Sequence, residues 1–183
     1  KGVAEEAEVL ALTRDIEMAR LTGVKMHLGF LSSRRALTAF ELALAEGLPV
    51  SAAVSPWHLL LTEEIHLQRP YDTSLKLWPP LRGREDRQAF RDAIKEGRLI
   101  IASGHRPVPP QEKEVEFSLA TPGAISLPTY FGLLHTAMTQ GDLGKTTLLD
   151  VITGKTRPDS GTAYYGQTIN LLELKESQIA RSG

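Results

Sequence analysis

Four short blocks of the sequence carry the polar residues that could contact a small ligand. They span residues 26–33, 54–61, 78–82 and 101–107. Each block is a short apolar run that ends in polar residues or proline, and helix-like sequence lies between most of them. That pattern is typical of βα units, in which chemistry is located where each strand ends. Within the blocks, His58, Arg82 and His105 are the candidate contacts for an anion.

A second group of candidate residues lies near the C-terminus and has the composition of a phosphate-binding loop. It consists of Gly144, Lys145, Thr146 and Thr147. In such a loop Lys145 would reach the β- and γ-phosphates and Thr146 would hold Mg²⁺. The motif also needs a glycine five residues before Gly144, where this chain has Thr139. The glycine-rich turn whose backbone N–H groups surround phosphate is therefore absent from the sequence.

The composition indicates a globular α/β protein and excludes several classes of function. The chain has 183 residues, 42% of them apolar and 23% charged, with a net charge of −1. This charge gives no reason to expect binding to nucleic acid or to an acidic membrane. There is no cysteine, so disulfides and thiolate chemistry are excluded. No apolar run approaches the ~18–20 residues of a membrane span, and we expect a cytoplasmic protein. The first residue is Lys1, and we expect the chain to begin within a longer protein.

Apolar spacing and turn residues predict alternating helices and strands. Val9, Leu12 and Ile16 recur at helical spacing, and Gly23 is placed to end that helix. Ser32 and Ser33 precede another helical stretch as candidate N-caps. Helices are predicted over 4–21, 34–45, 83–96, 111–119 and 129–139, and strands over 24–31, 49–55 and 98–103. The connection over 56–80 is long, and long loops in α/β folds are more often functional than decorative.

The order and spacing of the blocks resemble the C-terminal half of a dihydroorotase of the amidohydrolase superfamily. In that family a first His is followed three residues later by a second, which is a metal ligand; here His27 is followed by Phe30. The family sequence Pro-His-His-Leu corresponds to residues 56–59, in which Trp57 replaces the first His. The Asn of Asn-Pro-Pro-Leu-Arg is Trp78, whereas the residues through Arg82 are kept.

In the last block, too, residues of the family pattern are replaced. The family has Ala-Thr-Asp-His-Ala-Pro-His, whose Asp is a metal ligand and the general base; here that Asp is Gly104. His105 is retained, Arg106 replaces the Ala, and Val108 replaces the last His. Active relatives use zinc, and the resemblance implies that two of its ligand positions are lost here. We therefore expect no metal ligand and no catalytic residue in this chain.

The resemblance covers about residues 2–140 and implies the second half of a (β/α)₈ TIM barrel as a domain over 1–140. It points most closely to relatives that have lost the catalytic residues and act as scaffolds for aspartate carbamoyltransferase in pyrimidine biosynthesis. A half barrel leaves sheet edges and an apolar face open, so we expect poor solubility or dependence on a partner.

Residues 144–183 resemble a different family, the ABC transporter ATPases of the urea and branched-chain amino acid type. The likeness rests on the Gly144–Gly154 stretch and on Arg157–Gly161. It implies a join near 141–143 and a second segment over 141–183, a short α/β tail from a P-loop ATPase. We expect a helix over 145–152, a strand-like stretch over 162–169 and a short helix near Glu176.

Three functions therefore remain open. The first is the non-catalytic dihydroorotase-like fragment that binds aspartate carbamoyltransferase. The second is an active zinc-dependent cyclic amide hydrolase completed by residues outside this chain. The third is an ATP-binding fragment of an ABC ATPase, which would bind Mg-ATP through Lys145 and Thr146. The first predicts an inactive protein with no cofactor.

Overall fold

The computed structural model describes residues 3–139, 164–165 and 169–170. Contacts divide the chain into two compact units, Lys1–Ala137 and Met138–Gly183. The helices are α1 (Glu5–Thr22), α2 (Arg34–Ala45), α3 (Pro56–Leu60), α4 (Ile65–Gln68), α5 (Arg84–Lys95), α6 (Pro110–Lys113) and α7 (Tyr130–Thr139), and the strands of the first unit are β1 (Met26–Phe30), β2 (Val50–Val54) and β3 (Ile100–Ile101).

The three strands of the first unit form a parallel sheet in the order β1-β2-β3. Met26 pairs with Val50, and Ala53 pairs with Ile100. The register shifts between Leu28 and Phe30. Because the strands are parallel and are joined by crossovers that contain helices, their carboxyl ends meet at one edge of the sheet. The predicted α/β fold is confirmed.

The caps predicted from the sequence position the first two helices. Gly23 ends α1 with a φ of 67°, and its N–H donates to the Ala19 carbonyl at 2.8 Å. Ser33 precedes α2, and its hydroxyl accepts from the Ala36 N–H at 3.2 Å. The core lies between the sheet and α1, α2 and α5. Its most deeply buried large side chains include Phe40, Val54, Leu59 and Phe90.

Two predicted elements are shorter in the structure than the sequence indicated. The helix expected over 111–119 is only α6, and at its end the Lys113 carbonyl accepts the Thr73 hydroxyl at 2.7 Å. The strand expected over 98–103 is only β3, although the Ala102 N–H still donates to the Val54 carbonyl at 3.1 Å. Beyond it the Ser103 carbonyl accepts the Ser126 hydroxyl instead of a strand neighbour.

In the second unit the structure describes two short strands, β4 (Tyr164–Tyr165) and β5 (Ile169–Asn170), which pair antiparallel. β4 lies within the strand-like stretch predicted over 162–169, and β5 begins at its last residue and extends one residue further. The helices predicted over 145–152 and near Glu176 lie outside the described residues. No helix in the described part of the chain is both long enough and apolar enough to cross a membrane.

Candidate functional site

The carboxyl ends of the three strands surround a small pocket of about 10 Å³, enough for about one water molecule. Phe30 ends β1, Ser55 follows β2 and Gly104 follows β3, and all three line this pocket. The long loop after α3 contributes Leu77 and Trp78. The remaining lining residues are Trp57, His58, Arg106, Gly123 and Ala124. We call this space the strand-end pocket; no acidic residue of the described chain lines it.

His58 is buried beside the strand-end pocket, and both of its ring nitrogens have partners. Nδ1 lies 2.8 Å from Ser55 Oγ, and Nε2 lies 3.2 Å from the Pro80 carbonyl oxygen. Because a carbonyl only accepts, Nε2 carries the proton and Nδ1 accepts from the Ser55 hydroxyl. Burial lowers the pKa of His58, although the Pro80 carbonyl opposes that shift. The ring is therefore neutral and structural, with no lone pair left for a ligand.

Arg82 lies in a polar cluster that ties the N-terminal segment to the sheet, and it lines a second small pocket with His58. Its Nε donates to Ser32 Oγ at 3.1 Å and its Nη1 donates to the Val3 carbonyl at 2.8 Å. Its Nη2 forms an ion pair with the Glu8 carboxylate at 3.6 Å, too far for a hydrogen bond, and has no acceptor among the described residues. Glu8 also accepts from the Ser32 N–H and hydroxyl, each at 2.6 Å.

His105 is exposed and fastens the loop after β3 to a later segment. Its Nδ1 accepts from the backbone N–H groups of Ser126 and Leu127, each at 3.2 Å. These bonds require Nδ1 to be unprotonated. Of the three predicted anion contacts, His58 and Arg82 both line a second small pocket, whereas His105 lines neither pocket. Only His58 also lines the strand-end pocket. Binding of an anion by His105, Arg82 or His58 stays a prediction.

Several residues that build the site were not singled out by sequence reasoning. Ser55 is the partner of His58, and the only sequence signal for this pair is its spacing of three residues at a helix start. Glu8 is 24 residues from Ser32 along the chain, so no local sequence pattern predicts their contact. Trp57 and Trp78 both line the pocket, and Trp78 is 57% exposed.

Two glycines fix the backbone around the pocket. Gly104 has a φ of 61°, and a Cβ there would lie 3.0 Å from Ser55 Cβ. At Gly123 a Cβ would lie only 2.6 Å from the Arg106 carbonyl oxygen. The Arg106 N–H donates to the Ala124 carbonyl at 2.9 Å, so these two segments run close together. This close approach holds the backbone of Arg106 at the pocket.

The residues present do not fit the zinc ion that the sequence resemblance implies for active relatives. Phe30 and Gly104 offer no donor atom, and both nitrogens of His58 are already bonded. Among the described residues no group of three or more His, Asp or Glu side chains converges in a way that could hold a metal. The second predicted site, Gly144 to Thr147, lies outside the described residues, so the structure gives no geometry for nucleotide binding.

Comparison with curated proteins finds dihydroorotases. The chain is 37% identical to the dihydroorotase of Anaeromyxobacter dehalogenans over 154 residues, which is 84% of this chain and 36% of that protein. It is 40% identical to the dihydroorotase of Carboxydothermus hydrogenoformans over 139 residues, covering 75% and 32%. The chain spans about a third of the length of the curated relatives it matches. A search of protein-family models found no match.

Solved structures of hydantoinases and a dihydropyrimidinase share the fold. A D-hydantoinase from a Bacillus species has a TM-score of 0.73 at 24% identity, covering 83% of this chain and 35% of that one. A dihydropyrimidinase from Brevibacillus agri has a TM-score of 0.71 at 22% identity, covering 83% and 34%. Over most of its length the chain is therefore homologous to part of the curated dihydroorotases, and it shares the fold of the hydantoinase structures. The comparisons give no evidence for the ABC ATPase resemblance of residues 144–183.

Proposed function

We propose that this chain is a non-catalytic, dihydroorotase-like fragment that acts as a structural partner of aspartate carbamoyltransferase in pyrimidine biosynthesis. One observation carries the loss of catalysis: at the ends of β1 and β3, where the family pattern has a metal-binding His and Asp, this chain has Phe30 and Gly104. Without a set of convergent ligands no metal-bound water is activated, and without a carboxylate no base accepts its proton.

The state of His58 supports the same proposal. A histidine that serves as a metal ligand or general base needs a free nitrogen directed at the reacting group. In His58, one ring nitrogen instead accepts from the Ser55 hydroxyl and the other donates to the Pro80 carbonyl. The histidine that lines the strand-end pocket thus holds the loop after α3 in place.

The test measures zinc content and dihydroorotate hydrolysis on the same preparation. The purified chain is incubated with zinc, dialysed and analysed by atomic absorption, and hydrolysis is followed optically. We expect less than stoichiometric zinc and no hydrolysis above the buffer rate. Sedimentation velocity with added aspartate carbamoyltransferase then tests the partnership, for which we expect a complex heavier than either protein. Two species that sediment independently would refute the scaffold function.

An active zinc-dependent cyclic amide hydrolase is the second candidate, because the curated relatives at 37% and 40% identity are named dihydroorotases. It would draw its metal ligands from residues outside this chain. Stoichiometric zinc together with dihydroorotate hydrolysis in the assay above would favour this candidate. Phe30→His is the informative variant, since it puts a nitrogen donor at the end of β1 and would raise zinc retention only if other ligands converge there.

A further inference from the structure

We propose that Ser55 is a nucleophile activated by His58, and that esters with a small acyl group acylate its hydroxyl. The first support is the hydrogen bond between the two side chains. Ser55 Oγ lies 2.8 Å from His58 Nδ1, and the proton on Nε2 requires that the hydroxyl donates to Nδ1. A serine bonded in this way to an unprotonated imidazole nitrogen can pass its proton to the ring as its oxygen attacks.

The second support is the fixed position and charge state of the base. His58 Nε2 donates to the Pro80 carbonyl at 3.2 Å, and this bond holds the ring with Nδ1 directed at Ser55. Burial lowers the pKa of His58, so the ring is unprotonated at neutral pH, as a general base must be. The Pro80 carbonyl opposes this shift, so the same bond favours the imidazolium that forms when the proton arrives.

The third support is the access to Ser55 from the strand-end pocket. Ser55 lines this pocket, and a Cβ at position 104 would lie 3.0 Å from Ser55 Cβ. The absence of a side chain at Gly104 therefore keeps this side of Ser55 uncovered. Ser55 is only 4% exposed and the enclosed space is about 10 Å³, so we infer that the acyl group is about the size of acetyl. The leaving group then lies at the rim, beside the exposed Trp78.

A second serine–histidine pair shows what distinguishes Ser55. Ser51 Oγ lies 2.8 Å from His27 Nδ1, the same distance as in the pair of Ser55 and His58. However, His27 is exposed, and within the described part of the chain no hydrogen bond fixes its Nε2. Neither Ser51 nor His27 lines the strand-end pocket. The proposal therefore assigns nucleophilic reactivity to Ser55 and none to Ser51.

In the reaction the Ser55 oxygen attacks the acyl carbon of the ester while its proton moves to His58 Nδ1. The bond between the acyl carbon and the leaving oxygen then breaks, and the proton passes from His58 to that oxygen. The products are an acyl ester of Ser55 and a free alcohol or phenol, with no change of oxidation state.

This reaction goes beyond the scaffold function and is compatible with the proposed loss of dihydroorotate hydrolysis. His58 has no nitrogen free for a metal ion or a metal-bound water, because Nδ1 accepts from Ser55 and Nε2 donates to Pro80. The bond to Ser55 that excludes those roles is the bond that acylation of Ser55 requires.

The experiment treats the full chain with p-nitrophenyl acetate in the presence of EDTA and locates the acetyl groups by tandem mass spectrometry. Hydroxylamine then separates the products, because it removes acetyl from serine esters and leaves acetyl-lysine intact. We expect a hydroxylamine-sensitive acetyl group on Ser55 and none on Ser51. His58→Gln should slow acetylation of Ser55 about a hundredfold or more, as expected for the loss of a general base. His27→Gln is the matched control and should keep the parent rate.

Ser55 and Ser51 are compared within one molecule, so this comparison does not depend on the folding of any variant. Unfolding the parent chain in urea should remove the preference for Ser55, because the preference depends on the fixed ring of His58. The proposal is overturned if the folded parent gains no acetyl group on Ser55, if Ser51 reacts as fast, or if the preference survives in urea. It is also overturned if His58→Gln keeps the parent circular dichroism spectrum and the parent rate at Ser55.

Discussion

Gly104 stands where the family pattern has an acidic metal ligand, and its backbone has a conformation that favours glycine. Its φ of 61° lies in the left-handed region, which glycine adopts at little cost and other residues adopt with strain. A side chain there also meets Ser55 Cβ at 3.0 Å. An aspartate at this one position is therefore opposed by both the backbone conformation and the packing.

Gly104→Ala should lower the free energy of unfolding by about 1–2 kcal/mol, because it combines backbone strain with a tight contact. Urea denaturation followed by circular dichroism measures this loss. Gly29→Ala is the matched control, since a Cβ at Gly29 meets nothing within 4 Å and its φ is not positive. Equal stability of the two variants would show that the left-handed conformation of Gly104 carries no cost.

The pH dependence of stability should report the burial of His58. Burial lowers the pKa of His58 in the folded state below the value of about 6.5 in the unfolded chain. The unfolded state then binds a proton that the folded state excludes, so the stability contributed by neutral His58 is full above about pH 6.5 and is lost as the pH falls below it. Each pH unit in this range costs at most about 1.4 kcal/mol.

We expect His58→Gln to flatten this loss of stability between about pH 7 and 5, even though the variant is less stable at neutral pH. Urea unfolding at several pH values gives the slope directly. His135→Gln, at an exposed position on α7, is the control and should keep the parent slope. A parent slope that survives in His58→Gln would assign the acid sensitivity to other groups.

At the scale of the elements, Ser33 is the N-cap of α2 and lies in the connection between β1 and α2. It is fully buried, and its hydroxyl accepts from the Ala36 N–H at 3.2 Å. Ser33→Ala removes this cap, and we expect a loss of about 1 kcal/mol in thermal or urea unfolding. Ser74→Ala, at an exposed position in the short 3₁₀ helix Thr73–Leu75, should change stability by less than about 0.5 kcal/mol. A larger effect at Ser74 than at Ser33 would contradict the capping role.

The elements that could be predicted from the sequence are those with a local signal. Apolar spacing located α1 and α2, and Ser33 and Gly23 marked their ends correctly. At the end of α6 the Lys113 carbonyl accepts from Thr73, 40 residues away along the chain, and no local pattern predicts such a contact. The order of the sequence blocks located the strand ends of the site, because each block is local in the sequence. The Ser32–Glu8–Arg82 cluster could not be predicted in this way, because it joins residues that are distant in sequence.

At the scale of the whole molecule, the described sheet has edges that a closed barrel does not have. In the described residues β1 pairs with β2 alone, and β3 pairs with β2 alone. The Tyr130 hydroxyl donates to the Ile101 carbonyl at 2.7 Å and covers part of the β3 edge, and burial raises the pKa of Tyr130 to about 12. Ile100 next to it remains 47% exposed on a strand.

Exposed apolar side chains on sheet edges promote association, and charges placed on edge strands oppose it. We therefore expect the chain to self-associate as its concentration rises and Ile100→Lys to shift it toward smaller species in analytical ultracentrifugation. Leu42→Lys is the matched control: Leu42 is 62% exposed, but it lies on α2, away from any sheet edge. If the sheet edge drives association, only Ile100→Lys reduces it. An equal effect of both substitutions would attribute the association to general surface apolarity, and the open edge would then have no special part in it.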